Sequence, residues 1–421
     1  MATINGLPYY ELHFDASGGL DTQTGHGDGG LPAAVANGAI ADLFVFSHGW
    51  NNGVASARSL YEAMFTMLAD QLGPARSSSA AAGIIWPSLL FPDDDPATAP
   101  PVPSTGTELV AAIAPAFPDQ RGDLETMGQL LDDKPQDSVE LDRFHTMAKG
   151  LVTTAPQSDE DAGESSLLTA PTATALGHGA TMAPTTDSDA QGVGNVFSGL
   201  WKGAKEVLRT LSYYEMKNRA GVVGKDGLGP LLASLRGLGG APRIHLVGHS
   251  FGARLVSYAL AGLPTSDRTP VKSLTLIQGA FSHFAFSPSL PFDRDRAGAL
   301  AQMANRVDGP LLATFTEADR AVGWWYPTAS LLARQDAEAA EAVTYRWGAV
   351  GHDGYQHVPN AHTAPLTDAG TAYAFQPGHF YALDGNAVIN ENQSAFSGAH
   401  SDIRHPQVAW AIACAAGLAG R

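Results

Sequence analysis

The feature that most constrains the fold is an alternation of short, continuously apolar runs with helically spaced ones. Leu43 to Phe46 is such a run, and Leu60, Met64, Met67, Leu68 and Leu72 follow it at helical spacing. Gly83 to Trp86 is a second run. Ile244 to Val247 is a third, and Leu255, Val256, Ala259 and Leu260 after it share one helical face. Leu274 to Ile277, Leu311 to Phe315, Val343 to Trp347 and Phe380 to Leu383 read as further strands. A strand that is apolar at every position is buried on both faces. Strands of that kind separated by helices predict an α/β chain with a mainly parallel central sheet flanked by helices.

Residues 93–219 break the rhythm. The stretch opens Pro-rich, from Pro92 to Pro103, and then carries two short helical patterns, Leu124 to Leu131 and Leu141 to Val152. Thr153 to Gly194 is dominated by Ser, Thr, Ala, Gly, Asp and Pro, the composition of a flexible loop. A helical pattern then runs through Phe197, Leu200, Trp201, Ala204, Val207, Leu208 and Leu211. The expected organisation is a sheet-forming core from residues 1–92 and 220–421, interrupted by a large inserted cap region that is partly helical and partly flexible.

With 421 residues, 44% of them hydrophobic, the chain can bury a large core. A formal net charge of −17 repels nucleic acid and anionic membrane surfaces, so neither is an expected partner. No apolar run reaches the length of a membrane span, and Met1 to Asp15 lacks the pattern of a secretory signal, which points to a cytoplasmic location. The lone Cys414 allows no internal disulfide and reads as a small buried hydrophobe.

Gly248-His249-Ser250-Phe251-Gly252 lies between the strand Ile244 to Val247 and the helical pattern from Ala253 to Leu260. A serine on so sharp a strand-to-helix turn is forced into strained dihedrals, with its hydroxyl projecting from the sheet edge. The neighbouring backbone packs closely there, which requires Gly248 and Gly252. The positive end of the following helix favours a developing oxyanion. Ser250 is therefore the expected nucleophile, and His249 is read as packing.

Together with Ser47-His48-Gly49-Trp50-Asn51-Asn52 after an earlier strand, this motif resembles the α/β-hydrolase superfamily over roughly residues 8–92 and 220–421, but not the insertion. The resemblance implies an oxyanion hole of two backbone N–H groups, one from Phe251 and one from the earlier loop. Gly49 lets that loop turn and Trp50 supplies the N–H, with Asn51 as the alternative, because the loop departs from the HGGG pattern. It also implies the order serine, acid, histidine. Asp319 follows the strand Leu311 to Thr316 and is the expected acid, with Glu317 as the alternative. His400, in a small-residue loop before the final helix at Pro406, is the expected base, with His405 as the alternative.

His352, His357 and His362 recur every five residues, a spacing that shares no helix or strand face, so no metal site is expected. His48, Trp50, Phe281 and His283 are candidate substrate-binding residues at the strand ends. Phe197, Trp201, Leu208, Leu211 and Tyr214 are expected to face the pocket or the core. The expected activity is hydrolysis of hydrophobic carboxylic esters through an acyl-enzyme, as in esterases and lipases, without cofactor. A peptidase, amidase or thioesterase would use the same groups, and a non-catalytic binding protein is the alternative of a different class.

Overall fold

The computed structural model describes residues 2–21, 28–50, 53–88, 104–155, 168–182, 196–265, 269–322, 348–391 and 397–419. The strands are β1 (Ala2–Ile4), β2 (Leu7–His13), β3 (Asp42–Ser47), β4 (Ser79–Ile85), β5 (Arg243–His249), β6 (Val271–Ile277), β7 (Leu311–Phe315), β8 (Ala361–Pro365) and β9 (Phe380–Asp384). They form one nine-stranded sheet in the order β1-β2-β4-β3-β5-β6-β7-β9-β8. β1 runs antiparallel to β2, and all other neighbours are parallel.

Alternate residues of the central strands enter two separate apolar layers. Leu43, Val45, Leu246, Leu274, Leu276 and Ala313 pack on one face. Phe44, Phe46, Val247, Ile277 and Leu312 pack on the other, against the helices Val54–Gln71 and Pro406–Ala415. The first face is covered by the helices Val196–Val222, Gly229–Arg236 and Phe251–Gly262. Period-two strands with apolar partners on both faces explain why the sequence shows continuous apolar runs.

The inserted region joins the same core as the first face, through Leu109, Ile113, Met127, Phe144 and Trp201. One part departs from expectation. Thr172–Met182, within the stretch read as a flexible loop, is a helix packed on Val196–Val222. A Cβ on Gly203 would stand 1.8 Å from the Leu176 carbonyl oxygen, so only glycine permits this approach. The long helix buries its apolar residues as expected, and more. Besides Trp201, Leu208, Leu211 and Tyr214, it buries Glu206, Arg209, Glu215, Lys217 and Arg219. The strand read at Val343 to Trp347 lies outside the described residues.

The chain passes from β3 to β4 on one side and returns to β5 on the other, so the direction of winding reverses between β3 and β5. Parallel sheets bind ligands at the carboxyl ends of strands beside such a switch point. The register pairs Ser47 with Gly248, and His249 with Ile277. Residues 48–50, 250–251 and 278–279 therefore emerge side by side at one edge of the sheet.

Candidate active site

Ser250 stands between β5 and the helix Phe251–Gly262 with φ 57° and ψ −123°, a conformation L-residues rarely adopt. Such a residue costs on the order of 1–3 kcal/mol and persists only where its surroundings enforce it. Here its N–H donates to the Ile277 carbonyl at 3.1 Å, and its carbonyl accepts from Ala280 at 3.2 Å and Ala253 at 3.0 Å. The flanking glycines are required by contact. A Cβ on Gly248 would lie 2.3 Å from the Gly252 carbonyl oxygen, and one on Gly252 would lie 2.1 Å from that of Ser47. Phe251 is the first residue of the helix, so its N–H has no acceptor within that helix.

Gly49 of the loop after β3 stands directly against the serine. A Cβ there would meet the Ser250 Cβ at 2.4 Å and its Oγ at 3.1 Å. His48 anchors this loop from behind. Its N–H donates to the Tyr61 hydroxyl at 2.9 Å, and that hydroxyl donates to the Ile84 carbonyl. The Trp86 Nε1–H donates to the His48 carbonyl at 3.1 Å, and the two rings stack at 5.6 Å. Its Nδ1 is 2.9 Å from the Gly49 carbonyl oxygen, which can only accept, so Nδ1 carries the hydrogen. Burial holds the His48 pKa down at about 4, and the ring stays neutral. Because a peptide is planar and trans, fixing the Gly49 carbonyl also fixes the Trp50 N–H in the opposite direction. His48 thus supports the loop, with its side chain committed to Gly49. The Trp50 ring packs on Phe251 at 6.1 Å and on Tyr213 at 5.4 Å, and Tyr213 reaches Phe251 at 4.8 Å. Asn51 lies outside the described residues.

Asp319 and His400, 81 residues apart, are brought together with Oδ2 and Nδ1 2.7 Å apart. Asp319 is fully buried. Its Oδ1 accepts the Val322 N–H at 3.1 Å, and its Oδ2 accepts a second hydrogen bond from the Gln278 side chain at 3.0 Å. The histidine loop is pinned to the acid loop by Ala399 N–H to the Ala318 carbonyl and Arg320 N–H to the Ser397 carbonyl. It is also tied to the turn that carries Ser250. The His249 Nε2–H donates to the His400 carbonyl at 2.9 Å, with ring centroids 4.9 Å apart. Burial, with the neighbouring His400 as a lesser cause, lowers the His249 pKa to about 3. His249 is therefore a neutral strut between the serine's turn and the loop of His400, beyond the packing role expected of it.

The alternatives are engaged elsewhere. His405 Nε2 meets Asp402 Oδ1 at 2.8 Å, and Asp402 Oδ2 accepts the N–H groups of Asn390 and Glu391. The Glu317 N–H donates to Asn386, and it is the Asp319 carboxylate that holds the His400 ring. Phe281 and His283 are both buried, and the His283 Nδ1 is 2.8 Å from Asp353 rather than from a member of the site. His352 belongs to the short helix Val350–Asp353, His357 lies in the loop after it, and His362 sits on β8. Among the described residues, no three His, Cys, Asp or Glu side chains converge as a metal site.

Sequence reasoning missed Gln278, Tyr61 and Tyr213. Gln278 had a visible signal, a polar residue ending an apolar strand at the ligand-binding edge. Comparison with protein-family models, with curated proteins and with solved structures gives no match to this chain.

Proposed function

We propose that the chain is a serine hydrolase of the α/β-hydrolase type that cleaves carboxylic esters through an acyl-enzyme. The observation that carries this reading is the strained Ser250, placed beside Gly49 at the switch point of the sheet, with a hydrogen-bonded histidine and buried carboxylate on the adjoining loops.

In this reading His400 takes the Ser250 proton through Nε2 as Oγ bonds to the ester carbonyl carbon. Asp319 holds Nδ1–H, which fixes the tautomer and steadies the imidazolium. The carbonyl oxygen becomes an oxyanion between the Phe251 and Trp50 N–H groups, a type of donor worth about 3–4 kcal/mol of barrier each. His400 then returns the proton to the departing alkoxide. Water, deprotonated by the same ring, releases the acid and restores Ser250. The partly buried Trp50 ring, backed by the buried Phe251 and Tyr213 beside the oxyanion loop, favours a hydrophobic substrate. Amides and thioesters would meet the same groups. Among the described residues, no helix is long and apolar enough to cross a membrane.

The test is labelling by a fluorophosphonate together with turnover of p-nitrophenyl esters of graded acyl length. Both are expected in the wild type. Both should be lost in Ser250→Ala with its circular dichroism unchanged. Ester turnover by folded Ser250→Ala would overturn the proposal.

A further inference from the structure

Gln278 follows β6 directly, with φ 47° and its side chain wholly buried. Its amide is oriented by its partners. The side-chain Nε2 lies 3.0 Å from Asp319 Oδ2 and 3.1 Å from the Gly351 carbonyl oxygen. An ionised carboxylate and a carbonyl only accept, so the NH2 group must face both. Oε1 takes the Thr314 hydroxyl hydrogen at 2.9 Å, and the same hydroxyl accepts the Gln278 backbone N–H at 3.2 Å. Both amide hydrogens are spent, and the amide cannot rotate without losing three bonds.

From this geometry we infer that Gln278 is a positioning residue of the site, holding Asp319 Oδ2 toward His400 and moderating the grip of the carboxylate on that ring. The inference rests on the serine-hydrolase reading. Asp319 Oδ2 is shared between the His400 Nδ1–H and the Gln278 amide. The second donor draws negative charge away from the oxygen that faces the imidazole. Without it, the carboxylate can turn and its full charge falls on His400. A less satisfied carboxylate stabilises the imidazolium more, so the base takes up its proton at higher pH. The other titratable or charged groups around the pair are His249 against the His400 ring, His48 as a neighbour of His249, and Arg404, Asp402 and His405 on the same loop, with Glu317 and Arg320 flanking Asp319. Burial keeps His249 and His48 neutral across the working range, with pKa values of about 3 and about 4.

The experiment compares wild type with Gln278→Met, which keeps the length and removes the donor. The expected result is a fall of about tenfold in kcat with KM within twofold. The acid limb of kcat/KM should also move to higher pH by about half a unit. Gln278→Glu adds a diagnostic arm. Its protonated carboxyl can donate to Asp319, so its activity should fall as pH rises, a limb absent from wild type. Folding is checked by circular dichroism and Tm. If Gln278→Met does not fold, Thr314→Val decides, because it removes the hydroxyl that orients the amide. It should show a smaller loss with the same upward shift. A folded Gln278→Met, or in its place Thr314→Val, with wild-type kcat and an unmoved limb overturns the inference. If the wild type itself resists the fluorophosphonate, the hydrolase reading has failed instead.

Discussion

Gly49→Ala is the sharpest perturbation the structure offers. The added methyl would stand 2.4 Å from the Ser250 Cβ, 2.9 Å from the His249 carbonyl oxygen and 3.1 Å from the Ser250 Oγ. Ordinary contact begins near 3.4 Å, so the loop and the nucleophile must part by roughly 1 Å. Neither side can yield by rotating a flexible side chain. The Ser250 turn is pinned by three backbone hydrogen bonds, and the Gly49 carbonyl is held by His48. Gly49 is not in the left-handed region, so alanine meets no backbone penalty and the cost is steric. Overpacking of this kind costs about 1–3 kcal/mol. A displacement of about 1 Å between nucleophile and oxyanion donors costs about 10²-fold in rate. The expected outcome is a kcat/KM for a p-nitrophenyl ester down about 10²-fold, with a parallel fall in the rate of fluorophosphonate labelling and a Tm lowered by only a few degrees. Gly53→Ala is the control, because a methyl there meets nothing within 4 Å. A folded Gly49→Ala within threefold of wild type, like the control, would refute the placement of this loop beside the reacting atoms.

Two further outcomes are expected. His400→Ala should lose nearly as much kcat/KM as Ser250→Ala, since members of such a unit fail together, whereas His405→Ala, which breaks only a local bond to Asp402, should lose much less; the reverse pattern in folded variants would move the base to His405. Stability should decline on acidification from pH 7 to 5. His48 and His249 have folded pKa values depressed to about 4 and about 3, below the unfolded value near 6.5. The unfolded chain therefore takes up protons first, and the stability present above about pH 6.5 is lost as pH falls toward the folded values. Each group accounts for about 2 kcal/mol at pH 5. Urea midpoints that stay flat between pH 7 and 5 would contradict this.

Much of the sheet was legible because β3, β4, β5, β6, β7 and β9 are apolar enough to announce burial on both faces. β8, Ala361–Pro365, is largely exposed at the sheet edge and had no such pattern. The turn at Ser250 was legible because its glycines are demanded by contact, and the pairing of Asp319 with His400 followed from the chain order that the resemblance implies together with loop position. The helix Thr172–Met182 was not, because glycine lets it approach its neighbour, whereas the eye looks for large apolar residues. The buried charges of Val196–Val222 were not legible either: Glu206 and Arg209 meet at 2.7 Å in the interior, and Arg219 donates to the Pro87 and Ala116 carbonyls. Charged side chains are seldom fully buried unless paired, and pairing is invisible in one sequence. Within that helix Tyr214 enters the core as expected, and it is its neighbour Tyr213 that lies on Trp50 and Phe251.

The pairing of Ser47 with Gly248 has a further consequence. The spacing between the serine and the loop of Gly49 is an inheritance of the ladder, shared with the most deeply buried strands of the protein. A slip of one residue would turn both core faces inside out, so this half of the apparatus is as durable as the fold itself. The histidine arrives differently. It rides on a loop fastened by a few bonds to Ala318, Arg320 and His249, of which only His249 lies on a strand, as its last residue. In the proposed reaction, the proton-handling side can therefore be rebuilt by editing one loop, while the attacking side tolerates change only where the sheet does.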